Sequence, residues 1–341
     1  FFFFGLNMAI GVALGLFVMN WAEPGKRMTK ETRDQLVGQF AKDAQEKEAK
    51  SKTLPKMSLT FLVDTFMPRN LLKAVVEFEI LPLILFALLL GAAGTQLGEA
   101  ERHRLQSGLE ITASLVTRLV RFALELAPYA VPAMIVSICL KAGTEVLQSL
   151  ALFVVCCLAA MLVHLFGTMT VLLKLFSKMS PRVFFRGIRA IMVTAFSTSS
   201  SSATLPTSIQ VAREELGVSN TTASFVLPLG ATMNMSGTAL YEGCVVLFLA
   251  QVYGVEMTLA QQTLMVLLAV LSAVAVAGVP GASLPLIVGL LVNFGIPPEG
   301  IALILGVDRL LDMARTVLNV AADAVTAVIV DECTKPELAP T

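Results

Sequence analysis

The sequence predicts an all-helical protein that crosses a membrane several times. Hydrophobic residues make up 56% of the 341 residues and charged residues only 15%, and the mean hydropathy is +0.78. Several apolar stretches exceed the roughly 20 residues that an α-helix needs to span a bilayer. Three of these stretches are interrupted near their middle by glycine, proline or small polar residues, which predicts broken helices within the membrane.

Composition also excludes some classes of function. The net charge is zero and no long basic tract is present, so a nucleic-acid partner is not expected. The five cysteines and the two histidines, His103 and His164, show no CxxC or HExxH spacing. They are interpreted as packing residues, because neither a metal site nor a disulfide framework is indicated.

The first half of the chain is interpreted from its hydropathy. Residues 1–20 are predicted to be part of a membrane helix whose beginning is truncated, and residues 21–57 form a hydrophilic loop. Residues 58–145 are expected to hold several short helices and a charged link at 99–104. An uninterrupted span is predicted at 146–176. It ends in a basic cluster that marks the cytoplasmic side, namely Lys174, Lys178, Arg182, Arg186 and Arg189.

Two interrupted apolar stretches in the second half suggest an internal repeat. Residues 191–209 are broken at 197–206 by a serine-rich run, and residues 265–292 are broken at 277–283. Paired interruptions of this kind are typical of transporter binding sites, because irregular backbone at membrane depth must line protein or a watery cavity. The serine run could instead be a flexible linker, but apolar residues flank it on both sides. It also lacks the G-x-S-x-G pattern of a nucleophilic serine.

A third interruption lies between these two stretches. Residues 230–238 break an apolar helix that resumes at once, and the exposed carbonyls of such a turn suit Na⁺. Thr238 and Glu242 are four residues apart and therefore share a helix face.

The last apolar helix carries a stripe of polar residues. At steps of 4, 3, 4 and 4 they share one helix face, and they are Asp308, Asp312, Arg315, Asn319 and Asp323. Because each ionised group at mid-bilayer costs at least about 2.5 kcal/mol, the stripe predicts a site for a substrate of both charges, with cations balancing the spare carboxylates. The alternative is a packing seam in which Asp312 pairs with Arg315, although one pair leaves two carboxylates without a cation. Arg309 is expected to point elsewhere.

Four motifs in this order resemble the glutamate transporter family, the dicarboxylate/amino acid:cation symporters. They are S-S-S-S-A-T-L-P at 199–206, N-M-S-G-T at 234–238, G-V-P-G-A at 278–282 and D-M-A-R-T-V-L-N-V-A-A-D at 312–323. The strong similarity covers about residues 183–330.

The resemblance implies a glutamate-transporter-like fold with inverted repeats, two re-entrant helical hairpins and broken helices. The family is homotrimeric and moves a transport domain past a scaffold by an elevator motion. Residues 1–20 and 146–341 would belong to the transport domain and 58–145 mainly to the scaffold and trimerisation helices, with two further scaffold helices and part of a third expected before Phe1. Within the transport domain the resemblance implies a cytoplasmic hairpin at 183–216, an unwound helix at 220–253, an extracellular hairpin at 258–297 and the last helix at 299–331.

The substrate site follows from the same motifs. Asp312 would hold the substrate ammonium and Arg315 its side-chain carboxylate, which a planar guanidinium matches in bidentate fashion. The hairpin tips would take the α-carboxylate. The full set of implied substrate-binding residues is Ser199, Ser201, Met235, Thr238, Val279, Ser283, Asp312, Arg315, Thr316 and Asn319. Ser283 stands where glycine is common in the family.

The resemblance also implies sites for coupled ions. One Na⁺ would be bound by Asn319 and Asp323 with carbonyls of Gly230 and Asn234, and a second would lie between the Thr232 turn and the extracellular hairpin. A third is in doubt, because Ser236 replaces the usual aspartate and Asn7 offers an amide but no hydroxyl. Glu242 is a candidate proton carrier, since it stands where proton-coupled members carry glutamate; the alternative is that it only bonds a neighbouring helix.

The leading prediction is a sodium-coupled symporter of aspartate or glutamate in the cell membrane, not an enzyme. Its expected partners are the amino acid, the lipid bilayer and two further copies of itself. The alternative on the same fold is a symporter of C4-dicarboxylates or neutral amino acids, coupled to protons or sodium, although succinate has no ammonium for Asp312. A membrane-embedded serine hydrolase would need a general base near residues 199–202, and none is evident.

Overall fold

A computed structural model of the protein describes residues 1–27, 80–125, 145–276, 278 and 281–334, and every regular element in these ranges is a helix. The all-helical prediction is therefore confirmed for this part of the chain. The rest of the predicted hydrophilic loop and the candidate site residue Val279 lie outside the described residues. The chain divides into two compact units, Phe1–Gly38 with Ala142–Thr341, and Gln39–Lys141.

The smaller unit contributes two described helices, α2 (Ile80–Gly94) and α3 (Glu99–Glu125). The prediction of a charged link at 99–104 is wrong, because these residues form the first turns of α3. Glu99 and Glu101 lie in the first turn, where carboxylates interact favourably with the positive end of the helix dipole.

The larger unit contains eleven described α-helices. They are α1 (Phe2–Ala22), α4 (Glu145–Val163), α5 (Met169–Phe176), α6 (Pro181–Gly187), α7 (Arg189–Thr198), α8 (Ser201–Glu214), α9 (Asn220–Met233), α10 (Ser236–Tyr253), α11 (Leu259–Ala275), α12 (Leu284–Asn293) and α13 (Ile301–Thr334). Two 3₁₀ turns, Pro24–Arg27 and Pro298–Gly300, precede or follow them. Four stretches are long and apolar enough to cross a membrane: Phe2–Arg27, Leu147–Phe176, Asn220–Tyr253 and Pro298–Thr334.

Helix α10 forms the centre of the larger unit. Every residue from Ser236 to Val252 is buried, and α1, α4, α11 and α13 pack against it. Helix α1 approaches α10 through a Gly-x-x-x-Gly pair, Gly11 and Gly15. A Cβ atom at Gly15 would lie 2.9 Å from the backbone oxygen of Leu240 and 2.9 Å from Cys244 Sγ. Small residues therefore set the close packing of these two membrane helices.

Hydrogen bonds at the two ends of the larger unit fix its helices relative to each other. At one end, the backbone N–H of Gly25 donates to Gln251 Oε1 at 3.1 Å, and Ser149 Oγ donates to the backbone oxygen of Pro24 at 3.0 Å. The end of α1, the start of α4 and the end of α10 therefore lie together.

The opposite end is held by the last turns of α13. The backbone N–H of Ser219 donates to Asp331 Oδ1 at 3.0 Å, and that of Lys178 donates to Glu332 Oε2 at 2.6 Å. The exposed basic cluster of residues 174–189 belongs to this end. The positive-inside rule predicts that this is the cytoplasmic end.

The interruption of the first apolar stretch is narrower than predicted. Only Ser199 and Ser200 separate α7 from α8, and Ser199 has a left-handed backbone with φ of 50°. Ser200 Oγ accepts from the backbone N–H of Ala203 at 3.2 Å, which caps α8. The serine run from Ser201 onward and Pro206 are helical, so the predicted break over 197–206 is wrong in length.

The other predicted interruptions give mixed outcomes. The break at 230–238 is reduced to Asn234 and Met235, between α9 and α10. The break at 277–283 is confirmed, because α11 ends at Ala275 and α12 begins at Leu284. The predicted uninterrupted span at 146–176 is confirmed, because Leu147–Phe176 is one apolar helical stretch long enough to cross a membrane, in which a π-helical turn at His164–Thr168 joins α4 to α5.

Candidate functional site

A small cavity lies where the break between α9 and α10, the tips of the α7–α8 and α11–α12 helix pairs and the middle of α13 meet. All the predicted substrate-binding residues except Val279 line it, together with Val276, Gly278 and Ala282. Its volume is about 20 Å³, which holds about one water molecule. The structure thus brings the predicted residues together around a space that a substrate must enlarge.

Arg315 is the most completely surrounded charge in this cavity. Its Nε and Nη2 atoms each lie 2.8 Å from Asp312 Oδ1, and its Nη1 lies 3.5 Å from Asp308 Oδ1. The guanidinium carbon also lies 4.7 Å from the centre of the Tyr241 ring, a cation–π contact. Tyr241 donates its hydroxyl to Asp308 Oδ1 at 2.9 Å.

Two details of the predicted charge pattern are corrected by this arrangement. Arg309 does not point elsewhere, because its Nη1 lies 3.6 Å from Asp312 Oδ2. Asp308 does not lack a cation, since Arg315 reaches it from one face of α13. The Asp312–Arg315 pair of the packing-seam alternative is present as a contact, within a larger cluster.

The sequence did not predict the roles of Tyr241 and Asp308, the two residues that surround Arg315 from outside the cavity lining. Tyr241 was not predicted as a site residue, and its spacing of three from Thr238 on α10 was the available signal. Asp308 was placed on the polar stripe but given no role, although it lies seven residues before Arg315 and hence on the same helix face.

A second polar cluster surrounds the carboxylate of Asp323, about two turns of α13 beyond Arg315. Asn234 Nδ2 donates to Asp323 Oδ1 at 2.9 Å, and a Cβ atom at Gly230 would lie 2.5 Å from the same oxygen. Asp323 is 3% exposed, and no ion pair to it is found in the described ranges. Asn234 Oδ1 is buried without a hydrogen-bond partner. Carboxylate and amide oxygens are ligands of the kind that hard cations prefer.

Asn319 connects this cluster to the cavity. Its Oδ1 accepts from the backbone N–H of Gly237 at 2.7 Å, and its Nδ2 lies 3.3 Å from Thr238 Oγ1. Asn319 lies one helical turn before Asp323 on α13. Through these two contacts it holds the first turn of α10 against α13.

Thr232 is the predicted ion-site residue whose side chain lies outside this cluster. The side chain is exposed, and its hydroxyl donates to the backbone oxygen of Leu229 at 2.9 Å. The neighbouring backbone oxygen of Ala231 does face the tip of the α11–α12 pair, because a Cβ atom at Gly278 would lie 3.0 Å from it. The predicted second ion would therefore be contacted by the backbone oxygen of Ala231 rather than by the side chain of Thr232.

The tips of the two helix pairs touch above the cavity. Ser200 Oγ donates to the backbone oxygen of Gly278 at 2.6 Å, and the backbone N–H of Ser202 donates to it at 3.3 Å. Neither serine was predicted as a site residue. The hydroxyls of Ser199 and Ser283, by contrast, are buried without a hydrogen-bond partner. They are the groups that a ligand in the cavity would satisfy.

Glu242 lies on α10, fully buried, outside the set of residues that line the cavity. Its Oε2 accepts a short hydrogen bond from the hydroxyl of Ser272 on α11, and its Oε1 has no partner. This hydrogen bond to α11 is the contact expected from the alternative interpretation, in which Glu242 only bonds a neighbouring helix. Ser272 was missed by sequence reasoning, because a serine within an apolar run carries no signal of its partner.

A third polar cluster occupies the interface of α1, α10 and the π-helical turn. Both polar atoms of Asn7, the Ser236 hydroxyl and His164 Nε2 are buried without hydrogen-bond partners. Gly11 joins them, because a Cβ atom there would lie 3.2 Å from the Ser236 backbone oxygen and 3.3 Å from His164 Nε2. The interpretation of His164 as a packing residue therefore overlooked a polar environment.

Comparison with known proteins identifies the family. The sequence profile of the sodium:dicarboxylate symporter family matches residues 1–333. The chain is 30% identical over 333 residues to the proton/sodium-glutamate symport protein of Bacillus caldotenax, covering 97% of this chain and 76% of the relative. It is 28% identical over 328 residues to the proton/glutamate-aspartate symporter of Escherichia coli K12, covering 96% and 74%.

An animal relative is also similar. The chain is 35% identical over 272 residues to the excitatory amino acid transporter of Caenorhabditis elegans, which covers 78% of this chain and 54% of the relative. These matched proteins are transporters rather than enzymes. The chain belongs to the sodium:dicarboxylate symporter family and is a multi-pass protein of the cell membrane.

Proposed function

We propose that this protein is a symporter of acidic amino acids, aspartate or glutamate, coupled to Na⁺. The observation that carries the proposal is the pair Asp312 and Arg315 side by side on the wall of one cavity. An acidic amino acid offers an ammonium to the first and a carboxylate to the second. A C4-dicarboxylate would leave Asp312 without a counter-charge, and a buried unpaired carboxylate is costly.

Binding would exchange internal partners for substrate groups. Arg315 leaves Asp312 and takes the side-chain carboxylate in bidentate fashion, while Asp312 takes the ammonium. The unbonded hydroxyls of Ser199 and Ser283, with the Val279 backbone, take the α-carboxylate. The remaining cavity residues, Met235, Thr238, Thr316 and Asn319, pack around the carbon chain and the ammonium.

Two Na⁺ ions would accompany the substrate. The first would be bound by Asp323, Asn319 and the oxygens of Gly230 and Asn234. Its positive charge would neutralise the carboxylate of Asp323. The second lies between the turn before Thr232 and the tip of the α11–α12 pair. Because Asn319 contacts both the first ion and the backbone beside Thr238, filling the ion site would organise the cavity for substrate.

A proton is the proposed third coupled ion. The cluster around Ser236 contains no carboxylate among its buried polar groups. Its attraction for Na⁺ would therefore not offset the cost of removing water from the ion. Glu242 is a buried carboxylate on α10 with one oxygen that has no hydrogen-bond partner, and this oxygen is a place where a proton can bind. Two of the relatives, those of Bacillus caldotenax and Escherichia coli K12, are named as proton-coupled symport proteins.

The larger architecture is proposed by analogy with the family. Residues 146–341 and 1–20 would form a transport domain that moves as an elevator past scaffold helices within 58–145, in a homotrimer. The α7–α8 and α11–α12 pairs would be re-entrant hairpins related by an inverted repeat. Their places of entry support this assignment: α7 begins at Arg189 in the basic cluster, whereas Gln262 near the start of α11 accepts from Asn20 Nδ2 near the end of α1, at the opposite end of the unit.

Uptake into proteoliposomes tests the function. L-aspartate, L-glutamate, succinate and L-serine are compared under gradients of Na⁺, K⁺ or protons. We expect concentrative uptake of aspartate or glutamate only with inward Na⁺. Preferential uptake of succinate would replace the proposal by a dicarboxylate symporter, and preferential uptake of serine by a neutral amino acid symporter.

A further inference from the structure

The cytoplasmic end of the larger unit carries five exposed cations within 16 residues. No Asp or Glu occurs between residues 146 and 213. None of the five has an ion-pair partner in the described part of the chain. We call this group the α5–α7 basic surface, and it consists of Lys174, Lys178, Arg182, Arg186 and Arg189.

Glu332, a carboxylate beside this surface, does not neutralise it. Glu332 accepts from the hydroxyl of Ser177 at 3.0 Å and from the backbone N–H of Lys178 at 2.6 Å. Both of its oxygens are therefore used by neutral donors. Among the described residues no carboxylate forms an ion pair with these five cations, which leaves a positive local potential.

Exposed apolar side chains alternate with these cations. Leu175 is 68%, Phe176 42% and Val183 54% exposed. A segment with basic and apolar side chains side by side, at the end of membrane helices, is suited to the boundary between lipid headgroups and acyl chains.

The surface is rigidly attached to the protein. Phe184 and Ile188 are fully buried beneath it, and the rings of Phe166 and Phe185 have centroids 5.1 Å apart. Helix α6 is therefore anchored by its apolar face while Arg182 and Arg186 remain exposed. A fixed array of cations binds a multiply charged or clustered anion without a large loss of conformational entropy.

We propose that the α5–α7 basic surface binds anionic phospholipid headgroups of the cytoplasmic leaflet. Arginine guanidinium groups bind phosphate oxygens in bidentate fashion, and the exposed apolar side chains contact the first acyl carbons. Helix α7 runs directly from Arg189 to the break at Ser199, which lines the cavity. Bound headgroups therefore hold the cytoplasmic base of the helix pair whose tip closes the site.

Lipid binding can be measured on the purified protein without substrate. The protein in non-ionic detergent is titrated with a fluorescent phosphatidylglycerol and, separately, with the matching phosphatidylcholine. We expect phosphatidylglycerol to bind at least tenfold more tightly, since every basic residue near an anionic lipid surface adds to the attraction. Raising the salt from 0.1 to 1 M shortens the screening length from about 10 to about 3 Å and should remove this preference.

Charge-matched variants make the test specific. The triple variant Lys178→Gln, Arg182→Gln, Arg186→Gln should lose the preference, whereas Lys26→Gln, Arg102→Gln, Arg104→Gln removes the same charge elsewhere and should keep it. The exchange Lys178→Arg, Arg182→Lys, Arg186→Lys keeps the charge and should keep binding, which guards against misfolding of the glutamine triple. Equal affinity for the two lipids, or equal loss in both glutamine triples, would overturn the proposal. Competition by millimolar inorganic phosphate alone would assign the surface to a free anion instead.

Discussion

Arg315 is shared among two carboxylates and one aromatic ring, so its position depends on small differences between its partners. Asp308 divides its Oδ1 between the Tyr241 hydroxyl at 2.9 Å and Arg315 Nη1 at 3.5 Å. The shorter contact belongs to the tyrosine. The hydroxyl thus weakens the hold of Asp308 on the guanidinium, and this leaves Arg315 available to a substrate carboxylate.

Tyr241→Phe removes this competing donor and keeps the ring beneath the guanidinium. Asp308 should then bind Arg315 more strongly, and the affinity for acidic substrates should fall by roughly tenfold or more, since a hydrogen bond to a charged group is worth about 1.5–3 kcal/mol. The affinity is measured by substrate titration of uptake. Tyr253→Phe is the matched control, because that hydroxyl has no hydrogen-bond partner. Equal effects of the two changes would show that Tyr241 has no specific role.

Arg315→Cys removes the proposed partner of the distal carboxylate but leaves Asp312 in place. We expect uptake of aspartate and glutamate to be lost while small neutral amino acids such as serine are retained or gained. Competition of several amino acids for uptake in one preparation measures the change. An unaltered affinity for aspartate would rule out Arg315 as the carboxylate-binding residue.

Asp323→Asn keeps the shape of the side chain and removes its charge. The polar cluster around residue 323 should then bind Na⁺ more weakly. The Na⁺ concentration for half-maximal substrate binding should therefore rise roughly tenfold or more, the loss expected for a charged ligand. Asp331→Asn, on the same helix at the cytoplasmic end, is the control and should leave that concentration unchanged. A Na⁺ titration of Asp323→Asn that superimposes on the wild type would contradict the proposed ion site.

At the scale of helices, the sequence predicted where the chain breaks better than how long each break is. Glycine, proline and serine mark the interruptions, but Ser200 caps α8 immediately, so the serines that follow are helical. Caps of this kind depend on local hydrogen bonds that composition does not resolve. The π-helical turn at His164 gave no signal in the hydropathy, because it changes the backbone bonding but not the apolar pattern.

The residues on α13 could be predicted because periodicity alone places them on one helix face. The contacts of Tyr241 with Asp308 and of Ser272 with Glu242 could not, since they depend on how α10 packs against α13 and α11. The family motifs supplied the residues around the cavity. They did not reveal that Arg309 approaches Asp312 at 3.6 Å.

The packing of α1 on α10 can be tested at its closest point. Gly15→Val places carbon atoms where Leu240 and Cys244 already lie, 2.9 Å from the first added atom, and should destabilise the protein by about 1–3 kcal/mol, the usual cost of overpacking. Gly5→Val on the same helix has nothing within 4 Å of the added Cβ and serves as the control. Thermal unfolding in detergent should show a lower midpoint for Gly15→Val alone. Equal midpoints would mean that α1 does not pack closely in solution.

At the scale of the whole molecule, we propose that the buried charges of α10 and α13 set the number of ions that move with the substrate. Asp308, Asp312 and Arg315 form one cluster, and a substrate with one net negative charge changes its balance. Asp323 and Glu242 lie outside that cluster without cationic partners in the described residues. The charge count is therefore consistent with cations at Asp323, at the hairpin tip and at Glu242.

Reversal potentials in proteoliposomes measure this coupling directly. We expect the wild-type potential to shift with both the Na⁺ and the pH gradient, in the ratio of two Na⁺ and one proton per substrate. Glu242→Gln mimics the neutral acid permanently, so its transport should become independent of pH while its Na⁺ dependence persists. Three Na⁺ per substrate in the wild type would mean that the cluster around Ser236 binds an ion despite its lack of a carboxylate. A wild-type potential that ignores pH, together with unchanged transport by Glu242→Gln, would show that Glu242 serves only to bond Ser272 and hold α10 against α11.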